Sequence, residues 1–155
     1  MLRGIPVSQG VSQGRVVVLN RSRIVPAKAG FETDDQAGEE ARFQTALSET
    51  RKQLTAVQER LRDEFGAKES QIFDAHLLVL EDPALMEEVG RQVRDEHHTP
   101  EYAFYTASEK YAEALSAVDD SYLSERAADI RDVTQRVLGN LIGQPQRAGV
   151  SDLTE

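Results

Sequence analysis

Residues 43–65 read FQTALSETRKQLTAVQERLRDEF, and the spacing of their apolar side chains decides the fold. Phe43, Leu47, Thr50, Leu54, Val57 and Leu61 recur at alternating intervals of four and three. That is a heptad seam, the mark of a helix that buries one stripe against neighbouring helices. Phe65 extends the seam and Gly66 follows it, so the spacing predicts a long helix ending near Gly66, where glycine can adopt the left-handed cap. Upstream, Thr33-Asp34-Asp35-Gln36 fits a capping box, with Thr33 accepting from an early amide and Gln36 reaching back.

Downstream, residues 71–83 read QIFDAHLLVLEDP. A surface helix shows one apolar stripe and one polar face. This stretch, within a helix predicted over 68–81, is apolar on nearly all sides. At 100° per residue Phe73, Leu77 and Leu80 form one row, and Ile72, His76 and Val79 form a neighbouring row. One row can pack on the long helix while the other points elsewhere, and periodicity does not say which. Asp82-Pro83 reads as a cap followed by the first residue of another helix, with Leu85, Met86, Val89 and Val93 on one side. Thr99-Pro100 repeats that signal for a helix carrying Tyr102, Ala103, Tyr111, Leu115 and Val118. Asp119, Asp120 and Ser121 offer caps for a last helix with the stripe Leu123, Ala127, Ile130, Val133, Val137 and Leu141, stopped by Gly143 and Pro145. The pattern predicts a mainly α protein, an antiparallel bundle of helical hairpins.

The first 30 residues differ. Val16, Val17, Val18 and Leu19 read as a strand, preceded by Gly4, Gly10 and Gly14. The tandem Val7-Ser8-Gln9-Gly10 and Val11-Ser12-Gln13-Gly14 reads as a turn between short strands. A phosphate loop would place its glycines ahead of a helix. The chain thus divides into a β segment (1–30), a helical unit (31–143) and a following linker (144–155). Charge divides it too. Residues 1–30 carry five basic residues and no acid, while residues 31–155 hold the remaining 13 Lys+Arg and all 27 Asp+Glu. So acidic a body argues against a nucleic-acid partner and suits a basic protein.

Cysteine is absent, which excludes disulfides and thiolate metal sites and fits a cytoplasmic protein. No apolar run approaches the length that crosses a bilayer, so membrane insertion is not expected. Among the histidines, His76 reads first as a packed, hydrogen-bonded residue, and no acid or second histidine stands at a convincing metal-ligand spacing. His97-His98 falls at a helix end, where a cation favours the dipole. In the last helix Arg126 can pair with Asp129 and Asp132 with Arg136, or one arginine can present its fork to a phosphate or carboxylate. No nucleophile–base constellation or nucleotide motif is recognisable.

Several of these segments together resemble a known family. Gly4-Ile5 with Ser8, Gly10 and Gly14, then Ile72-Phe73-Asp74-Ala75-His76, Leu80-Glu81-Asp82, and the string from Asp119 through Glu125-Arg126-Ala127-Ala128-Asp129-Ile130-Arg131-Asp132 are similar to the N-terminal region of Enzyme I. Enzyme I is the phosphoenolpyruvate–protein phosphotransferase of the bacterial sugar phosphotransferase system. The resemblance covers nearly the whole chain in one register. It implies that phosphoenolpyruvate and magnesium bind a C-terminal barrel, with no cofactor in this segment. It also implies that a histidine of an α/β subdomain passes the phosphoryl group to the carrier HPr, and that the parent enzyme is a homodimer. HPr docks on a helical subdomain, using its second helix and the start of its last. By position the resemblance marks Ile72, His76, Val79, Asp82, Leu85, Leu115, Tyr122, Leu123 and Arg126 as carrier-binding, with the Phe73 row as core; Arg131 matches the string as well.

This sequence departs from the family at Ala67-Lys68-Glu69-Ser70, which is less acidic, and at Ala84, where an acid is often found. The family's Thr-Ser-His loop is missing before Glu155, so the expectation is a non-catalytic fragment: the docking subdomain with the first strands of an incomplete α/β subdomain. Other readings are an Enzyme I homologue of a nitrogen-related or fructose-specific branch, and a non-enzymatic helical adaptor that oligomerises through its seam.

Overall fold

A computed structural model of the chain describes residues 22–143. A 3₁₀ turn, Thr33–Asp35, leads into six helices: α1 (Gln36–Phe65), α2 (Ala67–Ser70), α3 (Ile72–Glu81), α4 (Pro83–Arg94), α5 (Pro100–Ser116) and α6 (Ser121–Leu141). Among the described residues the only β pairing is an isolated antiparallel bridge between Gly30 and His98. The expected strand Val16–Leu19, the tandem repeat and the linker 144–155 lie outside the described residues. No described helix is long and apolar enough to cross a membrane.

α1 runs for about 45 Å at 1.5 Å per residue and is the axis of the bundle. Phe43, Thr50 and Leu54 are buried as the seam predicts, but Val57 and Leu61 are only partly so, and Phe65 is exposed. Gln58 is buried instead. A straight helix drifts off a seven-residue repeat, and the partner of α1 changes along its length. Its first half meets α5 and α6. In its second half the Gln58 amide donates to Asp74 Oδ1 of α3 at 2.5 Å.

α6 runs antiparallel to α1, its end beside the first half of that helix. Asn140 of α6 donates from Nδ2 to Thr50 Oγ1 (2.9 Å) and accepts at Oδ1 from Gln53 Nε2 (3.0 Å). Arg42 joins three helices: it bonds Glu39 at 2.8 Å, both carboxylate oxygens of Glu101 on α5, and the Leu141 carbonyl of α6 at 3.2 Å. The core between these ties holds Phe43, Leu54, Val89, Phe104, Val133, Val137 and Leu138. Before α1, the Gln135 amide grips the main chain of Ile24. It accepts from Ile24 N at 2.7 Å and donates to Ile24 O at 3.0 Å.

Three expectations about the helices are corrected. No capping box forms: neither Glu32 nor Asp35 caps through its side chain, the turn closes through Asp35 N to Glu32 O, and Gln36 Nε2 donates forward to Glu40. The helix expected over 68–81 is two helices. Ser70 Oγ bonds back to the Ala67 carbonyl at 2.8 Å, and Gln58 Nε2 reaches the Ser70 carbonyl, so the ladder is interrupted there. The buried face of α5 is made of Ala103, Phe104, Ala107, Ser108 and Ala112, while Tyr111 is exposed and Val118 lies past the helix end. Small side chains let α5 lie close to α6, and a reading led by large residues passes over them.

Candidate functional site

The ten residues of α3 are packed on one side only. Leu80 is buried, with Phe73 and Leu77 partly buried against the main core. On the other side Ile72 is 56% and Leu78 is 60% exposed, a large apolar exposure for so short a helix. α6 crosses α3 antiparallel, and the far end of α5 closes one flank.

Between them lies a groove of about 320 Å³. From α3 it receives Ala75, Leu78 and Val79, with Asp82 at the helix end. α5 contributes Tyr111 and Leu115, and α6 contributes Tyr122, Leu123, Arg126 and Ile130. Beneath α6 a second small core, Ala112, Ala127 and Ile130, supports the floor, and Val79 packs on both cores.

The caps position the rim. Asp82 Oδ1 accepts from Leu85 N at 2.8 Å, which starts α4 at Pro83 and holds the carboxylate at the mouth. Asp120 does the same for α6, accepting from Leu123 N at 3.0 Å, and so places Tyr122 and Leu123 in its first turn. One turn on, Arg126 lies over the Tyr122 ring with its guanidinium carbon 4.9 Å from the centroid. Its Nε and Nη2 donate to the Tyr122 hydroxyl at 3.1 and 2.8 Å, and its Nη1 stands 3.9 Å from Asp129 Oδ2. The other oxygen of Asp129 meets His76 Nε2 at 3.1 Å. A polar chain thus runs from Tyr122 at the rim, through Arg126 and Asp129, to His76 under the floor.

Of the nine residues marked in the sequence, six share this groove: Val79, Asp82, Leu115, Tyr122, Leu123 and Arg126. Ile72 is exposed on the same helix but beyond the lining. His76 is 9% exposed and faces Asp129, with its ring edge-on to Phe73 at 5.3 Å. The row Ile72–His76–Val79 therefore does not face outward as a unit; the outward row of α3 is Ile72, Ala75, Leu78 and Asp82. Leu85 is 3% exposed, because the Asp82 cap turns α4 so that Leu85 enters the main core. Ala75, Leu78, Tyr111 and Ile130 line the groove as well and were not marked in the sequence. Leu78 belonged to neither row of the helical reading, and an apolar residue left over from both rows was the available signal.

The groove has aliphatic and aromatic walls with one guanidinium and one carboxylate at the edge, a composition common among protein interfaces. None of the chain's three histidines opens into it. His97 stands edge-on to Phe31 (5.6 Å) and His98 to Tyr102 (4.9 Å), beside the segment that precedes α1.

The comparisons with known proteins agree with this fold. The family described as PEP-utilising enzyme, N-terminal, matches residues 3–126. A phosphoenolpyruvate-protein phosphotransferase of Enterococcus faecalis is 35% identical over 144 residues, covering 92% of this chain and 25% of that protein. The Bacillus subtilis protein of the same name is 34% identical over 142 residues, with 92% and 25% covered. The chain thus spans about a quarter of the length of these relatives. Among solved structures, an NMR solution structure of Enzyme I has a TM-score of 0.72 at 33% identity, covering 79% of this chain and 49% of that one. The N-terminal domain of Enzyme 1 - Nitrogen has a TM-score of 0.69 at 31% identity, with 79% and 50% covered.

Proposed function

Since the chain belongs to the family of PEP-utilising enzymes through their N-terminal region, we propose that its α3–α6 groove docks the phosphocarrier of a phosphoenolpyruvate–protein phosphotransferase. The observation that carries this reading is the convergence of Leu78, Val79, Leu115, Tyr122 and Arg126, from three helices, on one exposed apolar groove with a charged rim. Transient partners are met by such surfaces, an apolar centre within a polar border. In this reading the longer protein takes a phosphoryl group from phosphoenolpyruvate onto a histidine outside this segment, and the groove holds an HPr-like carrier while its own histidine receives it. Magnesium and phosphoenolpyruvate belong to a barrel outside the chain. Among the described residues no three His, Asp or Glu side chains are grouped to hold a metal ion. Dimerisation of the parent, a role in sugar uptake and a cytoplasmic location complete the proposal.

The test is a titration of isotope-labelled HPr with the 155-residue chain at low salt. Shifts should cluster around the carrier's active histidine. Leu78→Asp and Arg126→Ala, both at surface positions, should each weaken binding about tenfold or more. An absence of shifts, or shifts indifferent to both substitutions, would overturn the proposal.

A further inference from the structure

A second cavity lies on the opposite side of α3, between α1 and α4, and shares no residue with the docking groove. Its volume is about 330 Å³, within the range of small-molecule sites of roughly 300–1,000 Å³. The floor is apolar: Phe43 and Leu47 of α1, Leu80 of α3, and Met86 and Val93 of α4. The polar side chains of Glu40, Gln44, Ser48, Arg51 and Arg94 stand around it.

Two facts single out Arg94. The first is Gly90, in the middle of α4, where an interior glycine weakens a helix. A Cβ there would come within 2.8 Å of Arg94 Nη1 and 3.2 Å of its Cζ. The glycine makes room for the guanidinium to lie along the helix beside the cavity. The second is that, among the described residues, Arg94 has no ion pair or hydrogen bond. Arg51, by contrast, already faces Glu81 at 3.5 Å. Arg94 is exposed, and its guanidinium borders the hollow with no protein partner among the described residues; such a fork matches a carboxylate.

We infer that the α1–α4 cavity binds a small carboxylic acid with an apolar body, its carboxylate on Arg94 and its body on Phe43, Leu47, Leu80 and Met86. Two kinds of ligand share that chemistry, a simple aryl or branched acid and an apolar amino acid. The second adds an ammonium group for Glu40, whose recorded hydrogen bond is from the neutral Gln36 amide at 3.0 Å. The inference does not depend on the docking reading.

Met86 supplies a reporter, because the chain has two methionines and the other is Met1. The full chain, labelled with ¹³C at the methionine methyls, is titrated with 3-phenylpropionate, its amide and L-phenylalanine. The Met86 methyl should shift with at least one of the two acids, and the amide should bind about tenfold more weakly than 3-phenylpropionate if that is the ligand, since a charge-assisted bond is lost. Arg94→Gln should weaken acid binding to the same degree. Gly90→Ala, which strengthens the helix but displaces the guanidinium, should do likewise with the fold intact by circular dichroism. Tighter binding of L-phenylalanine, lost in Glu40→Gln, assigns the amino acid; tighter binding of 3-phenylpropionate assigns the simple acid. A Met86 signal unmoved by either acid at 10 mM (on the order of a −2.7 kcal/mol interaction), or equal response to acid and amide, overturns the inference.

Discussion

α3 and α4 are neighbours in the chain, separated by Asp82 alone, and they are built on opposite plans. α4 has one apolar stripe, Leu85, Val89 and Val93, wholly buried, and its outer positions Glu87, Arg91 and Arg94 are charged. α3 has more apolar side chains than its core contact uses, and Ile72 and Leu78 remain in solvent. The difference separates two purposes of a hydrophobic residue. In α4 the stripe is buried and serves the core. In α3 part of the apolar face is left at the surface, where monomeric proteins keep apolar patches mainly for interaction.

The strongest way to break this comparison is to truncate one leucine from each helix. Leu85→Ala removes a buried side chain and should cost about 2–5 kcal/mol in urea unfolding. Leu78→Ala should stay within about 0.5 kcal/mol, as for a surface substitution. Equal losses would mean that α3 uses its outer face for folding after all. Next comes the junction itself. Asp82→Ala removes the acceptor for Leu85 N and should cost about 1 kcal/mol, read as a lower urea midpoint with an unchanged slope.

The smallest effect concerns the charged face of α4. Hydrogen bonds from Arg91, then from Gln92, lower the Glu88 carboxyl to about 2. A carboxylate depressed on folding adds stability above its unfolded value, near 4.5, and that stability is lost as pH falls toward 2. The Glu88 side chain is 34% exposed, so solvent screening reduces the gain. Glu88→Gln should change neutral-pH stability by no more than about 0.5 kcal/mol and should flatten the stability curve between pH 4.5 and 2. A larger loss would show that α4 depends on its outer face as well.

Much of this was legible in the sequence. The helix order, the caps at Asp82 and Asp120, the end of α1 at Gly66 and the stripe of α6 follow from local rules, in which a residue and its third or fourth neighbour decide the outcome. What was not legible depends on contacts distant in the chain. The interruption at Ser70 needs Gln58, twelve residues away, to take its carbonyl. The burial of His76 needs Asp129, fifty-three residues on. Six of the nine residues that the family resemblance marked line the groove. Ile72, His76 and Leu85 do not line it, because position in the chain alone does not fix how a helix is rotated against its partners.

Arg126 has a consequence in time rather than in energy alone. A free arginine samples many rotamers, and an associating partner must wait for, and then arrest, the one that fits. With its Nε and Nη2 on the Tyr122 hydroxyl and Nη1 near Asp129, Arg126 is already parked at the mouth of the groove. The ordering cost of about 0.5–1.5 kcal/mol for such a side chain is then met during folding and not at each encounter. In the proposed docking, the clamp shortens each search while the exposed rim leaves departure easy.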